Sequence, residues 1–88
     1  MQAPKLKVLI EAGAMREVEV FHDAAADGWT VRVSYANRHG ERVEALERQR
    51  GGARAFAILD AVARCLARLG LTEFRVNAAG LAGEEPPP

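Results

Sequence analysis

The sequence predicts a small α+β domain, a two-layer sandwich in which helices cover one face of a mostly antiparallel sheet. Two stretches, 16–22 and 29–36, alternate apolar and polar residues with the period of a β-strand. A third stretch, 54–69, repeats its apolar residues at helical spacing. The predicted element order is (α)-β-β-β-α-β, and 88 residues suffice for one such domain.

The first segment, residues 5–12, fits either a helix or a strand. Its apolar residues alternate as in a strand, yet they also form a stripe on a helical wheel. Pro4 suits the first turn of a helix, and Gly13 suits the position just after its end. We therefore favour a short helix, with a strand as the alternative.

The clearest strand pattern is 29–36, in which every second residue is apolar. Arg32 falls on the other face of this strand, where we expect it to pair with Glu17 or Glu19 of the preceding strand, 16–22. The residues predicted to face the core are Trp29, Val31, Val33 and Tyr35.

A hairpin turn at 37–40 leads into a third strand, 41–48. Val43 and Leu46 fall on opposite faces of this strand, so the pattern does not decide which face is inward. The many charged residues of the strand favour an edge position in the sheet or one side covered by a partner.

The main helix is predicted over 54–69 and is followed by a short strand at 74–78. Asp60 and Arg64 stand four residues apart in the order that favours a helical ion pair. Gly70 suits the left-handed residue that closes a helix. The residues predicted to lie on the apolar stripe are Phe56, Leu59, Val62, Ala63, Leu66 and Leu69, and those predicted inward on the last strand are Phe74 and Val76.

One domain is predicted over residues 1–79, followed by a disordered tail, 80–88, that is rich in Gly, Glu and Pro. The 12 basic and 12 acidic residues cancel, which argues against coating of nucleic acid through bulk charge but allows a local basic patch. The single cysteine, Cys65, excludes an intramolecular disulfide and a cysteine-based zinc site. No apolar run is long enough to cross a membrane, so we expect a cytoplasmic protein with no membrane partner.

The best candidate binding site is the arginine-rich segment that opens the predicted helix, together with two arginines further along it. Glycines let a backbone approach a ligand, and the first N–H groups of a helix attract anions. We expect this site to bind a phosphate of DNA or a carboxylate of a partner. The alternative is a flexible loop whose arginines pair with Glu44 and Glu47. The predicted contact residues are Arg48, Arg50, Gly51, Gly52, Arg54, Arg64 and Arg68.

The sequence predicts no catalytic residue, no metal site, no cofactor and no small-molecule substrate. His22 and His39 lack a second ligand at metal spacing, and a cysteine beside an apolar stripe, as Cys65 is, is typical of a core residue. Glu17 and Glu19 share a strand face, for which a solvated surface is a simpler explanation than an acid–base pair. We therefore predict that the protein is not an enzyme.

Two runs of the chain, EAGAMREVEV and QRGGARAFAILDAVARCLARLGLTEFRVNAAG, resemble the short partition-associated proteins of the ParC type. These proteins are carried by plasmids and integrating conjugative elements of proteobacteria. The resemblance implies an accessory protein of mobile-element maintenance that acts beside ParA/ParB-type proteins, and it brings no catalytic motif. The matching residues are Leu9, Ile10, Glu11, Ala12, Gly13, Gln49, Arg50, Gly51, Phe56, Leu59, Asp60, Leu66, Leu69, Gly70, Phe74 and Val76.

We therefore predict a non-enzymatic accessory protein of plasmid or mobile-element maintenance that binds a partner protein, DNA or both. A small domain of this kind often extends its thin core by dimerising, so we also expect a homodimer. The alternative is a homodimeric protein-interaction module without nucleic-acid binding, whose third strand adds to a partner's sheet or to its own copy. The neutral net charge favours this alternative over DNA binding.

Overall fold

Seven elements follow one another in the computed structural model, which describes residues 1–48 and 52–82. They are α1 (Ala3–Glu11), β1 (Met15–Asp23), β2 (Gly28–Asn37), β3 (Gly40–Ala45), α2 (Leu59–Arg68), β4 (Arg75–Asn77) and α3 (Ala79–Ala82). The predicted α+β class and element order are confirmed, with α3 added at the end. The parts of the prediction that fall on 49–51 and 83–88 lie outside the described residues.

The four strands form one sheet in the order β3-β2-β1-β4. β1 pairs antiparallel with β2, and β2 pairs antiparallel with β3, whereas β4 joins β1 in parallel. Because β3 and β4 lie at opposite edges, the chain between them crosses the sheet by way of α2. The periodicity of the sequence left this strand order open.

The core lies between the sheet and the two longer helices. Its members come from α1, from α2 and from the inward positions of β1 and β2, so both helices cover the same face of the sheet. The inward set predicted for β2 is confirmed. The largest side chains that are fully buried are Leu6, Val20, Val31, Val33, Leu46, Val62 and Leu66.

Residues 3–11 form helix α1, so the helical interpretation of this segment is confirmed. Pro4 lies in the first turn, where its missing N–H breaks no helical hydrogen bond. Leu6 is fully buried against the sheet, while Val8 on the other side is 63 % exposed. Gly13, at φ +66°, follows the last turn as predicted.

Glu44 lies on the inward face of β3, and Leu46, two residues further along the chain, is buried on the same side. Glu44 lies opposite the buried Val33, and residues opposite each other in an antiparallel pair share a face. Val43 therefore points to the other, uncovered face. The strand ends at Ala45, three residues before its predicted end.

The chain leaves β2 after Leu46, which explains this early end of β3. The N–H of Leu46 still donates to the carbonyl oxygen of Val31, at 2.8 Å. Glu47 turns to the beginning of the chain instead: its N–H donates to the carbonyl oxygen of Met1, at 2.7 Å, and it forms a parallel bridge with Gln2.

Helix α2 begins at Leu59, so the predicted start of the main helix at Arg54 was wrong. Phe56 exchanges two backbone hydrogen bonds with Trp29, at 2.7 and 2.8 Å, and the N–H of Arg54 donates to the carbonyl oxygen of Leu46, at 2.9 Å. These bonds hold the segment extended along the sheet and bury the Phe56 side chain. These backbone hydrogen bonds outweigh the helical propensity of the alanines in the segment, which is a few tenths of a kcal/mol per residue.

The end of α2 follows the prediction. Gly70 has φ +97°, its N–H donates to Ala67, and the N–H of Leu71 donates to the carbonyl oxygen of Leu66, at 2.9 Å. These are the two bonds of a Schellman motif, in which the left-handed residue is usually glycine because a Cβ would be strained there. Asp60 and Arg64 form the expected ion pair on this helix, at 3.0 Å.

The last strand is shorter and more exposed than predicted. Phe74 is half-buried against the core. Val76 lies opposite the buried Val20 and therefore on the inward face, as predicted, but it is 47 % exposed at the edge of the sheet. β4 is an edge strand of three residues that pairs only with β1, and nothing among the described residues covers its outer side.

Residues 80–82, predicted as the start of a disordered tail, belong to helix α3. Gly80 packs so closely on β1 that a Cβ at this position would overlap the carbonyl oxygen of His22. Leu81 packs against the core. The remainder of the predicted tail lies outside the described residues. Among the residues that the structure describes, no helix is both long and apolar enough to cross a membrane.

Candidate functional site

The structure divides those predicted contact residues that it describes into two groups. Arg54, Arg64 and Arg68 line one groove beside α2. Arg48 is not part of it: its N–H donates to the carbonyl oxygen of Gly52, at 2.9 Å, and its guanidinium lies next to the same glycine. The other two predicted contacts, Arg50 and Gly51, lie outside the described residues.

We call this depression, of about 310 Å³, the α2 groove. One wall is a side of the helix, because residues three or four apart stand above one another on a helical surface. The other wall is the extended segment that precedes the helix. The lining residues are Arg54, Phe56, Ile58, Asp60, Ala61, Arg64, Cys65 and Arg68.

Arg54 is oriented by an aromatic ring. Its guanidinium carbon lies 4.7 Å from the centroid of the Phe56 ring, within the range of a cation–π contact. Phe56 is itself held by its backbone bonds to Trp29 and is only 8 % exposed. A contact over the ring leaves N–H groups of the guanidinium able to donate to an acceptor in the groove.

The two helical arginines differ in their partners. Arg64 is paired with Asp60, but both side chains are mostly exposed, so the pair contributes little to stability. Arg68, one turn further on, has no ion-pair partner within residues 1–48 and 52–82. Three arginines against one aspartate give the α2 groove two net positive charges.

The α2 groove also has an apolar part. Ile58 is 60 % exposed, one of the few large apolar side chains of the described chain that face solvent. Cys65 is half-buried with a free thiol. Arginine beside aromatic and aliphatic side chains is the composition typical of protein–protein contacts.

The anion site that we predicted at the start of the helix has a different geometry. The first turn of α2 begins at Leu59 after Ile58, so the free N–H groups of the helix do not lie beside Gly52. In the α2 groove, the groups available to bind an anion are therefore arginine side chains and not the backbone N–H groups of a glycine loop. Phe56 and Ile58 were missed as site residues, because Phe56 matched the helical stripe and Ile58 carried no charge.

Glu44 and Glu47, the alternative partners predicted for these arginines, bind other groups. Glu44 accepts a hydrogen bond from the Tyr35 hydroxyl and another from Lys5, at 3.2 Å. The Lys5 ammonium also lies 3.2 Å from the Tyr35 oxygen. Glu47 instead binds the α-amino group of Met1, at 2.9 Å. The Lys5–Tyr35–Glu44 cluster thus ties α1 to the β2–β3 hairpin.

This cluster shifts two pKa values. The hydrogen bond from Tyr35, and then that from Lys5, hold the pKa of Glu44 below its usual 4.5. The hydrogen bonds to Tyr35 and Glu44 raise the pKa of Lys5 above its usual 10.5. A lowered carboxyl pKa stabilises the fold above the unfolded-state pKa, and this stabilisation is lost as the pH falls below it.

We expect Glu44→Gln to lower the free energy of unfolding at pH 7 by about 1 kcal/mol, a modest effect because the carboxylate is partly exposed. The difference between variant and native protein should shrink as the pH falls below about 4.5 and through the lowered pKa of the native carboxylate. Urea unfolding across this range measures it. Glu41→Gln on the same strand is the control, and an equal pH response in both variants would contradict the role of the cluster.

Other charged residues form ion pairs on the uncovered face of the sheet. Arg32 pairs with Glu19, at 3.6 Å, as predicted, and Arg75 pairs with Glu17, at 2.6 Å. The two glutamates thus have separate basic partners. No group of three His, Cys, Asp or Glu that could hold a metal ion occurs in the described part of the chain.

Comparisons of this chain with protein-family models, with curated proteins and with solved structures gave no match. The resemblance to partition-associated proteins therefore stays a prediction from the sequence.

Proposed function

We propose that the protein is a non-enzymatic accessory protein that binds an acidic segment of a partner protein in the α2 groove. The observation that carries the proposal is the Arg54 guanidinium held over the Phe56 ring, in the same groove as Arg64 and Arg68. Fixed guanidinium groups recognise carboxylates with two parallel hydrogen bonds and lose little side-chain entropy on binding.

A partner protein suits this surface better than DNA. The exposed Ile58 offers an apolar contact that a phosphate backbone would not use, and the whole chain has no net charge. DNA is the second candidate, because Arg64 and Arg68 stand one helical turn apart and could contact successive phosphates. Binding of DNA would weaken steeply with added salt, since it releases condensed counterions.

The wider role follows from the resemblance to partition-associated proteins. We propose that the protein serves plasmid or mobile-element maintenance in the cytoplasm, as a homodimer. No step of this role requires a catalytic group. The partner would be a partition-type protein with acidic and apolar residues side by side.

The test uses a fluorescein-labelled peptide of alternating Glu and Leu, and a labelled DNA duplex, in anisotropy titrations at several salt concentrations. We expect the peptide to bind native protein, and Arg64→Glu combined with Arg68→Glu to weaken binding about tenfold or more. Circular dichroism confirms that each variant is folded.

The matched control is Arg16→Glu combined with Arg38→Glu, which changes the net charge equally at two exposed residues outside the α2 groove. It should leave binding of the peptide nearly unchanged. Equal losses in both double variants would show that only net charge matters and would contradict the groove. Salt-dependent DNA binding without peptide binding, lost in the groove variant, would favour the second candidate.

A further inference from the structure

The arginines of the α2 groove have more hydrogen-bond donors than a single carboxylate can use. Arg64 bonds the Oδ2 atom of Asp60 through its Nε atom, at 3.0 Å, which leaves the N–H groups of its two terminal nitrogens for a ligand. Arg68 has no ion-pair partner within residues 1–48 and 52–82, and Arg54 is held over the ring of Phe56. A carboxylate has two oxygens, and one guanidinium can bond both of them.

The charge of the α2 groove fits a doubly charged anion. Its three arginines and one aspartate leave two net positive charges. A carboxylate neutralises one of these charges. A phosphate ester on a side chain carries about 1.5 to 2 negative charges at pH 7 and has three oxygens that accept hydrogen bonds strongly. Charge and number of acceptors therefore both favour a phosphate group.

We propose that the acidic group recognised by the α2 groove is a phosphorylated serine or threonine of the partner protein. The inference rests on the function proposed above and names the group that the groove prefers. Two separate carboxylates would also neutralise the groove, but each side chain would lose its own rotamer freedom on binding. A phosphate group brings both charges on one side chain.

The two walls of the α2 groove suit the shape of a phosphate group. Arg64 and Arg68 stand one helical turn apart on the wall formed by α2, and Arg54 stands on the wall formed by the extended segment. The three free oxygens of a phosphate ester point in different directions, so one group can accept hydrogen bonds from both walls. The two oxygens of a carboxylate lie in one plane with their carbon and suit a single guanidinium fork.

Ile58 favours a phosphorylated protein over DNA as the ligand. Its side chain is 60 % exposed in the same groove and offers a contact for an apolar residue beside the phosphorylated one. The phosphates of a DNA backbone carry one negative charge each, and no apolar side chain stands beside them. An unmodified serine or threonine carries no charge, so the α2 groove would distinguish the two states of the partner.

The test compares four fluorescein-labelled peptides of alternating Gln and Leu in anisotropy titrations at pH about 7.5 and constant ionic strength. The peptides differ only at the centre, which holds serine, one glutamate, two glutamates or phosphoserine. We expect the phosphoserine peptide to bind the native protein about tenfold more tightly than the one-glutamate peptide. The two-glutamate peptide carries a similar charge and should bind more weakly than the phosphoserine peptide. The serine peptide should not bind.

Acidification supplies a second readout. The second pKa of a phosphate ester is about 6, whereas the pKa of a glutamate side chain is about 4.3. Lowering the pH from about 7.5 to about 5 should therefore weaken binding of the phosphoserine peptide several-fold and leave the one-glutamate peptide nearly unchanged. The residues that line the α2 groove include no histidine, so the difference between the peptides reports the charge of the ligand.

Two variants connect the preference with the α2 groove. Arg68→Gln should reduce the advantage of phosphoserine over one glutamate to about twofold or less. Asp60→Asn removes the only carboxylate among the lining residues and should tighten binding of the phosphoserine peptide, a gain that misfolding would not produce. Arg38→Gln, in the exposed hairpin turn, is the control and should change neither affinity.

Equal affinities of the phosphoserine and two-glutamate peptides would show that only charge matters, which removes the inference and leaves the proposed function. A phosphoserine advantage that survives Arg68→Gln would also remove the inference, because the phosphate would then bind elsewhere. Failure of every acidic peptide to bind, the Glu–Leu peptide included, would contradict the α2 groove itself.

Discussion

Leu66→Ala should lower the free energy of unfolding by about 3 kcal/mol, within the range for large-to-small changes in a packed core. Leu66 is fully buried between α2 and the sheet, and its carbonyl oxygen accepts the Leu71 bond that closes the helix. The variant leaves a cavity that this small core can fill only partly. A domain of 88 residues has little stability to spare, so the loss would be a large share of the total.

Urea unfolding monitored by circular dichroism measures this loss. Val8→Ala is the control, because Val8 also lies in a helix but is mostly exposed, and we expect it to change the free energy by less than about 0.5 kcal/mol. Similar losses in the two variants would mean that α2 does not lie on the sheet at Leu66, and the described core would be wrong.

The second large effect concerns the start of α2. Ala63→Pro should cost about 3 kcal/mol or more, because proline inside a helix removes a hydrogen bond and clashes with the preceding turn. Ala57→Pro, only six residues earlier, should cost far less. Ala57 follows Phe56 in the segment before the helix, and within the described residues its N–H makes no backbone hydrogen bond.

Thermal unfolding of the two proline variants distinguishes a helix that begins at Leu59, as in the structure, from one that begins at Arg54, as the sequence pattern predicted. If the helix began at Arg54, both prolines would lie within it, and Ala57 would be its fourth residue, beyond the first three where proline is tolerated. Equal destabilisation by the two substitutions would therefore contradict the helix start at Leu59.

The elements that the sequence predicted well are those decided by nearby residues. The alternation around Val31 and Val33 depends on a single strand, and the Gly70–Leu71 closure of α2 depends on one turn. The start of α2 depends on bonds from Phe56 to Trp29, 27 positions earlier in the numbering of the chain. Local periodicity carries no information about such bonds, and the strand order of the sheet was open for the same reason.

The candidate site was predictable in part. Arg64 and Arg68 share a side of α2 because they stand four residues apart, which the sequence shows directly. Arg54 joins them only because the segment before the helix is extended, although the prediction had placed it in the helix. Phe56, predicted as part of the helical stripe, supplies the ring on which Arg54 stacks.

Chemical-shift mapping tests the proposed function most directly. The ¹⁵N-labelled native protein is titrated with the Glu–Leu peptide, and the backbone amide shifts are followed residue by residue. We expect the largest changes at Arg54, Ile58, Arg64 and Arg68, with the uncovered face of the sheet unaffected. Shifts that concentrate on that face, around Arg32 and Arg75, would contradict the α2 groove as the binding site.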